Sequence, residues 1–199
     1  MRDRIRLGLT FDPVRLRDDL ARLEESLWID HFVRQNYEGN WSAIPLRAAR
    51  GAEHPIQMIY CDPTCTEFVD TPFLEASPYL REALTAFECQ LQTVRLMRLT
   101  PGSIIREHAD PDLSAEQGLA RLHVPVTTNP DVEFCVNGRP VAMSEGECWY
   151  LRLSDPHRAA NRGTTDRVHM VIDARVNDWL LERLREADVP ESEEEKMPG

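Results

Sequence analysis

"ARLHVPVTTNPDVEFCVNGRPVAM", residues 120–143, holds the pattern that decides the fold. Leu122, Val124 and Val126 alternate with Arg121 and His123, the period of two expected of a strand with two different faces. After the break at "TTNP", "VEFCV" and "RPVAM" flank Asn137-Gly138. That pair favours a type I′ hairpin turn, which needs positive φ at both central positions. Outward from this stretch, "VRLMRLTPG" (94–102), "GECWYLRL" (146–153) and "DRVHMVIDAR" (166–175) are again short and rich in β-branched or aromatic residues, with Pro, Gly, Asn and Asp between them. The spacing predicts a mainly β chain with flanking helices, its β-barrel or jelly-roll core running over roughly residues 93–175.

The flanks read as helices. "DPVRLRDDLARLEESLW" (12–28) opens on Asp-Pro and places Leu16, Leu20, Leu23 and Leu27 at helical spacing. "SPYLREALTAF" (77–87) repeats the pattern with Leu80, Ala83, Leu84 and Phe87, and a helix over 177–187 starts with Asn177 as N-cap. The expected organisation is a single domain over 1–188, with a helical N-terminal part over about 1–90. Residues 189–199 form an acidic tail.

The chain has 199 residues, 23 Lys and Arg against 34 Asp and Glu, and a net charge of -11. That balance argues against a nucleic-acid partner, because phosphate contacts draw on clustered cations. Its five cysteines are odd in number and lack the paired spacing of a structural zinc site, as expected of reduced thiols in the cytoplasm. No apolar run reaches the length of a membrane span, and the charged N-terminus has no apolar segment of a secretion signal. No membrane partner is expected.

"REHADPDLS" (106–114) puts His108 and Asp110 two positions apart, and His157 follows in "SDPHRAANRG" (154–163). Two histidines and a carboxylate, two from one strand end and one from a distant strand, form the pattern of the facial triad that holds Fe(II) with coordination positions left open. The bland reading is polar residues satisfied at strand ends. Arg121 and His123 share the face opposite Leu122 and Val124, and Arg167 alternates likewise with Val168, Met170 and Ile172. Arginines pointing into a closed barrel need an anionic partner, and two of them suit a small dicarboxylate; otherwise they are surface ion pairs. "RLHV" at 121 and "RVHM" at 167 echo one another, as strands from the two halves of a jelly roll would.

The run "HAD", "RLHVPVTTNPDVEFCVNG", "GECWYL", "PHRAANRG" and "DRVHMVID", spanning roughly residues 90–180, resembles the aspartyl/asparaginyl β-hydroxylase family of Fe(II)- and 2-oxoglutarate-dependent oxygenases. The resemblance implies a double-stranded β-helix (jelly roll, cupin-like) with His108, Asp110 and His157 as catalytic iron ligands. It also implies Arg121, His123 and Arg167 at the 2-oxoglutarate positions, with Arg167 on the distal carboxylate and Arg121 and His123 near the metal. Animal members bind iron through two histidines with glycine in place of the carboxylate, so Asp110 puts this chain nearer the bacterial branch. They also carry a helical-repeat domain that recognises protein substrates, for which these 199 residues hold no counterpart.

The function implied is a dioxygenase using Fe(II), 2-oxoglutarate and O2 to hydroxylate a C–H of an amino acid, free or in a peptide or carrier-bound precursor. A cupin-like metalloenzyme without 2-oxoglutarate and a non-catalytic jelly-roll binding module are the competing readings; the first leaves Arg121 and Arg167 without a role. Arg162 is a weak candidate for an anionic substrate group, and "EGNWSAIPLR" and "EFVDTPFL" are candidate lining segments. His31 and His54 read as surface or structural residues, and the cysteines as small packing residues.

Overall fold

The computed structural model describes residues 1–61 and 64–188, so the acidic tail lies outside the described residues. In chain order, β1 (Arg4–Thr10) leads to α1 (Pro13–Leu20), β2 (Ile29–Asp30), β3 (Tyr37–Glu38), β4 (Trp41–Ala49) and α2 (Pro55–Ile59). Next come β5 (Phe68–Asp70), α3 (Pro72–Glu75), α4 (Pro78–Leu84), β6 (Leu91–Leu99), β7 (Ile104–His108) and β8 (Leu119–Thr127). The chain ends with β9 (Val132–Val136), β10 (Arg139–Pro140), β11 (Glu147–Leu151), β12 (His157–Asn161), β13 (Arg167–Arg175) and α5 (Asp178–Ala187).

The strands form two antiparallel sheets, the larger in the order β1-β11-β8-β13-β6-β4-β2 with β5 on β4, the smaller in the order β10-β9-β12-β7-β3. Strand parity sorts the core into two layers. Leu122, Val124 and Val126 of β8 and Val168, Met170 and Ile172 of β13 face Leu16, Leu80, Leu180 and Leu184 of the helices. The opposite faces meet between the sheets, where Trp41, Met97, Leu99 and Val171 pack against Ile105, Phe134, Val136 and Ala159. Both faces of β8 and β13 are therefore covered, so the polar residues of their inner faces lie inside a jelly roll. Asn137 and Gly138 take φ of 51° and 69°, the turn that the sequence asks for.

Two expectations need correction. The N-terminal part is not simply helical, because β1 and β4 are major strands of the large sheet. In "RIRLGLT" Ile5 and Leu7 alternate with polar residues and are buried, whereas "WSAIPLRAA" is covered on both faces and shows no alternation. Pro45 further disguises β4, whose pairing with β6 shifts register between Pro45 and Arg47. The helix expected over 12–28 ends at Leu20, followed by a 3-10 turn at Glu25–Leu27. Asp19 is drawn inward there, its carboxylate accepting from the Tyr79 and Leu80 N–H groups at 2.6 and 2.9 Å, which caps α4. The two Arg-x-His strands, β8 and β13, are hydrogen-bonded antiparallel neighbours in one sheet.

Asp12 caps α1, and the Asn177 side-chain Oδ1 accepts from the Leu180 N–H at 3.0 Å to cap α5. No helix among the described residues is long and apolar enough to cross a membrane.

Candidate metal centre and its two cavities

β7 and β12 pair so that His108 and His157 stand opposite one another, with ring centroids 4.3 Å apart. Asp110, two residues past His108, is fixed by its own N–H on the Leu153 carbonyl at 2.8 Å. One ligand atom from each of His108, Asp110 and His157 lies within 4.8 Å of the others. The tautomers are set by the backbone: Nδ1 of His108 and of His157 faces the carbonyl two residues earlier, at 2.8 and 3.0 Å. Each ring therefore donates from Nδ1 and leaves the Nε2 lone pair for a cation. Burial, opposed by the Asp155 carbonyl and reinforced by His108, pulls His157 down to about 4, so it is neutral near pH 7. Two imidazoles that present Nε2 and one carboxylate, all from one rim, are the donor set that fits Fe(II) with open positions.

Two cavities meet at this rim and share Trp41, Met97, His108, Asp110 and Arg121. The narrower, about 40 Å³, runs inward between the sheets past His123, Phe134 and Arg167. Here Arg167 is 3% exposed and His123 5%. Neither ring nitrogen of His123, nor Nε of Arg167, has a hydrogen-bond partner. Arg167 forms no ion pair among the described residues, and burial with no carboxylate beside it pulls the guanidinium down to about 9. Burial, then Arg167 and Arg121, hold His123 well below its ordinary value. A desolvated cation beside an unsatisfied imidazole is costly unless an anion completes it.

The second cavity, about 270 Å³, is lined by His31, Phe32, Trp41, Tyr60, Met97, Leu113 and Leu119, with Arg95 and Arg121 among its polar groups. The His31 ring stacks on Trp41 with centroids 3.5 Å apart. These two arginines are paired, unlike Arg167. Arg121 donates to Asp173 at 2.6 and 3.1 Å and to Asp110 at 3.1 Å, while Arg95 donates to Asp173 and to the Ile59 carbonyl. Burial opposes charge on Asp173, but Arg121 and Arg95 outweigh it and hold the carboxyl below its usual range.

The sequence-predicted residues thus converge, with one exception: Arg162 is exposed, lies 3.8 Å from Glu133 and lines neither cavity. Of the candidate lining segments, "EGNWSAIPLR" contributes Trp41, and "EFVDTPFL" contributes nothing to either cavity. Sequence reasoning missed His31, Arg95, His169 and Asp173. Inner-face parity on β6 and β13 is the signal that would have found the last three, since Arg95 shares the face of Met97 and Leu99, and His169 and Asp173 share that of Arg167 and Val171.

The family model described as "Aspartyl/Asparaginyl beta-hydroxylase" matches residues 12–176. An L-proline cis-4-hydroxylase of Rhizobium meliloti (strain 1021) is 30% identical over 187 residues, covering 90% of this chain and 63% of that protein. The chain thus spans less than two thirds of that relative's length. A Pseudomonas putida prolyl-4-hydroxylase structure superposes with a TM-score of 0.51 at 12% identity, over 89% of this chain and 94% of that one. The viral collagen prolyl hydroxylase of Paramecium Bursaria Chlorella virus-1, solved as a 2-oxoglutarate complex, gives 0.51 at 11% identity over 88% and 97%. At these identities the two superpositions show the shared fold.

Proposed function

The chain belongs to the aspartyl/asparaginyl β-hydroxylase family, and from that premise we propose that it is an Fe(II)- and 2-oxoglutarate-dependent dioxygenase hydroxylating a C–H of a small amino or imino acid. The observation that carries this reading is the unpaired, buried Arg167 beside the unsatisfied His123, in a cavity that opens onto the His108, Asp110 and His157 cluster. A linear dicarboxylate satisfies all of it at once, with one carboxylate on the guanidinium and the other end at the rim.

In this reading His108, Asp110 and His157 are the catalytic ligands that hold the iron. Arg167 would hold the distal carboxylate of 2-oxoglutarate, and His123 would donate to the co-substrate. Arg121 donates to one Asp110 oxygen, which would leave the other free to hold the iron. When bound, Fe(II), 2-oxoglutarate and O2 supply an oxidative decarboxylation to succinate and CO2 coupled to hydroxylation of the substrate. The jelly roll's part is to seat the co-substrate and exclude water from it.

The wider cavity is the substrate's place. Its aromatic and apolar walls favour a compact, largely apolar body over an extended peptide. The R. meliloti relative's name, L-proline cis-4-hydroxylase, points the same way. Residues 1–188 act here as one domain.

The test is an anaerobic titration of the Fe(II)-loaded chain with 2-oxoglutarate, followed by O2 and a panel of free amino acids and short peptides including L-proline. The expected result is a visible absorption band on 2-oxoglutarate addition, then succinate in step with a hydroxylated free amino acid. Metal binding with no band and no succinate would overturn the proposal in favour of a cupin-like enzyme or a binding module.

A further inference from the structure

His169 lies two residues beyond Arg167 on the inner face of β13, between Met97 of β6 and Pro125 of β8. It is 1% exposed, and its Nδ1 stands 2.9 Å from Nη2 of Arg167. A guanidinium only donates, so Nδ1 accepts, which fixes the ring proton on Nε2 and keeps the imidazole neutral. Burial first, and then Arg167 and His123, press in the same direction. Arg167 has few other anchors: its Nε is without a partner, and the Phe134 ring lies 5.8 Å from the guanidinium carbon. A long side chain with many rotamers is therefore oriented chiefly by one neutral acceptor, which leaves its charge uncancelled.

We propose that His169 is a positioning residue for co-substrate binding: its Nδ1 pins the Arg167 guanidinium so that the free N–H edge faces the distal carboxylate of the 2-oxo acid. An aspartate at this place would orient the arginine equally well but neutralise it; a histidine orients it and leaves the charge for the ligand. The proposal rests on the 2-oxoglutarate reading above, and it assigns His169 no contact with metal or co-substrate.

The experiment measures binding rather than turnover, by anaerobic titration of the Fe(II)-loaded protein with 2-oxoglutarate and with 2-oxopentanoate, a 2-oxo acid lacking the distal carboxylate. His169→Leu is expected to weaken 2-oxoglutarate about 10- to 100-fold, the range typical of lost orienting partners, and to leave 2-oxopentanoate unchanged. His169→Asn, whose carbonyl oxygen can stand where Nδ1 stood, should recover most of the loss; His169→Gln, with its acceptor one bond further out, should not. Should His169→Leu fail to fold, the Asn and Gln pair carries the comparison. An unchanged 2-oxoglutarate affinity in His169→Leu and in His169→Gln, or an equal loss for both acids, overturns the proposal. A wild-type chain that binds Fe(II) and gives no band with 2-oxoglutarate brings down the parent reading and this inference together, a result distinct from the first two.

Discussion

Arg121 and Arg167 sit on adjacent strands of one sheet, each two residues before a buried histidine, yet their surroundings differ in one respect. Arg121, with Arg95, closes on the buried Asp173; Arg167 closes on His169, which has no charge to give. The first group is complete within the protein, whereas the second is a buried cation still lacking its anion. Charge compensation therefore separates an arginine that belongs to the scaffold from one that is held ready for a ligand.

The largest effect that tests this contrast is on stability. Asp173→Asn keeps shape but leaves Arg95 and Arg121 without their shared carboxylate, and should cost about 3–5 kcal/mol, the usual consequence of breaking a buried pair. Urea unfolding measures it. Arg167→Met should behave oppositely in the ligand-free protein, with stability unchanged or raised, since it removes a desolvated charge that nothing compensates. It should also abolish stabilisation by 2-oxoglutarate, which at a hundredfold excess over Kd amounts to about 2.7 kcal/mol in the parent. Thermal melts of the Fe(II)-loaded protein with and without the 2-oxo acid read both quantities. If Arg167→Met destabilised the protein as much as Asp173→Asn, the two arginines would be equivalent and the comparison would fail.

A smaller effect concerns His31, on the wall of the wider cavity. Burial, with Arg95 and Arg121 nearby, pulls it down to about 3. Between that value and its unfolded value near 6.5, the unfolded chain binds more protons than the folded one. Its contribution is thus fully present above about pH 6.5 and is lost progressively as pH falls toward 3. His31→Phe keeps the stack on Trp41 without a titrating group, and should reduce the stability lost between pH 7 and pH 5 by about 2 kcal/mol. Equal losses in parent and variant would show that the ring does not carry its share of the acid response.

Much of this site was legible in the chain itself. His108-x-Asp110 and His157 were visible as a ligand pattern, and the alternation around Arg121, His123 and Arg167 put all three on the faces opposite the apolar residues, because side-chain parity on a strand needs no tertiary information. The hairpin at Asn137-Gly138 and the cap at Asn177 were legible for the same reason: both are local conformational preferences. β4 was not, since a strand covered on both faces loses the alternation that announces it, and Pro45 interrupts what remains. His31 was likewise hidden, because a short segment before β4 carries it and only packing against Trp41 brings it to the cavity.

By itself, then, the sequence determined the strands' faces, the turn and caps, and the residue types able to hold a cation and a dicarboxylate. Only the tertiary structure decided which arginine is neutralised and which is not. Pairing of β8 with β13 sets Asp173 opposite Arg121, and the same inner face sets His169 beside Arg167. Whether a buried charge is satisfied depends on partners more than fifty residues away in the chain, at Asp173 for Arg121, and no local pattern encodes that distance.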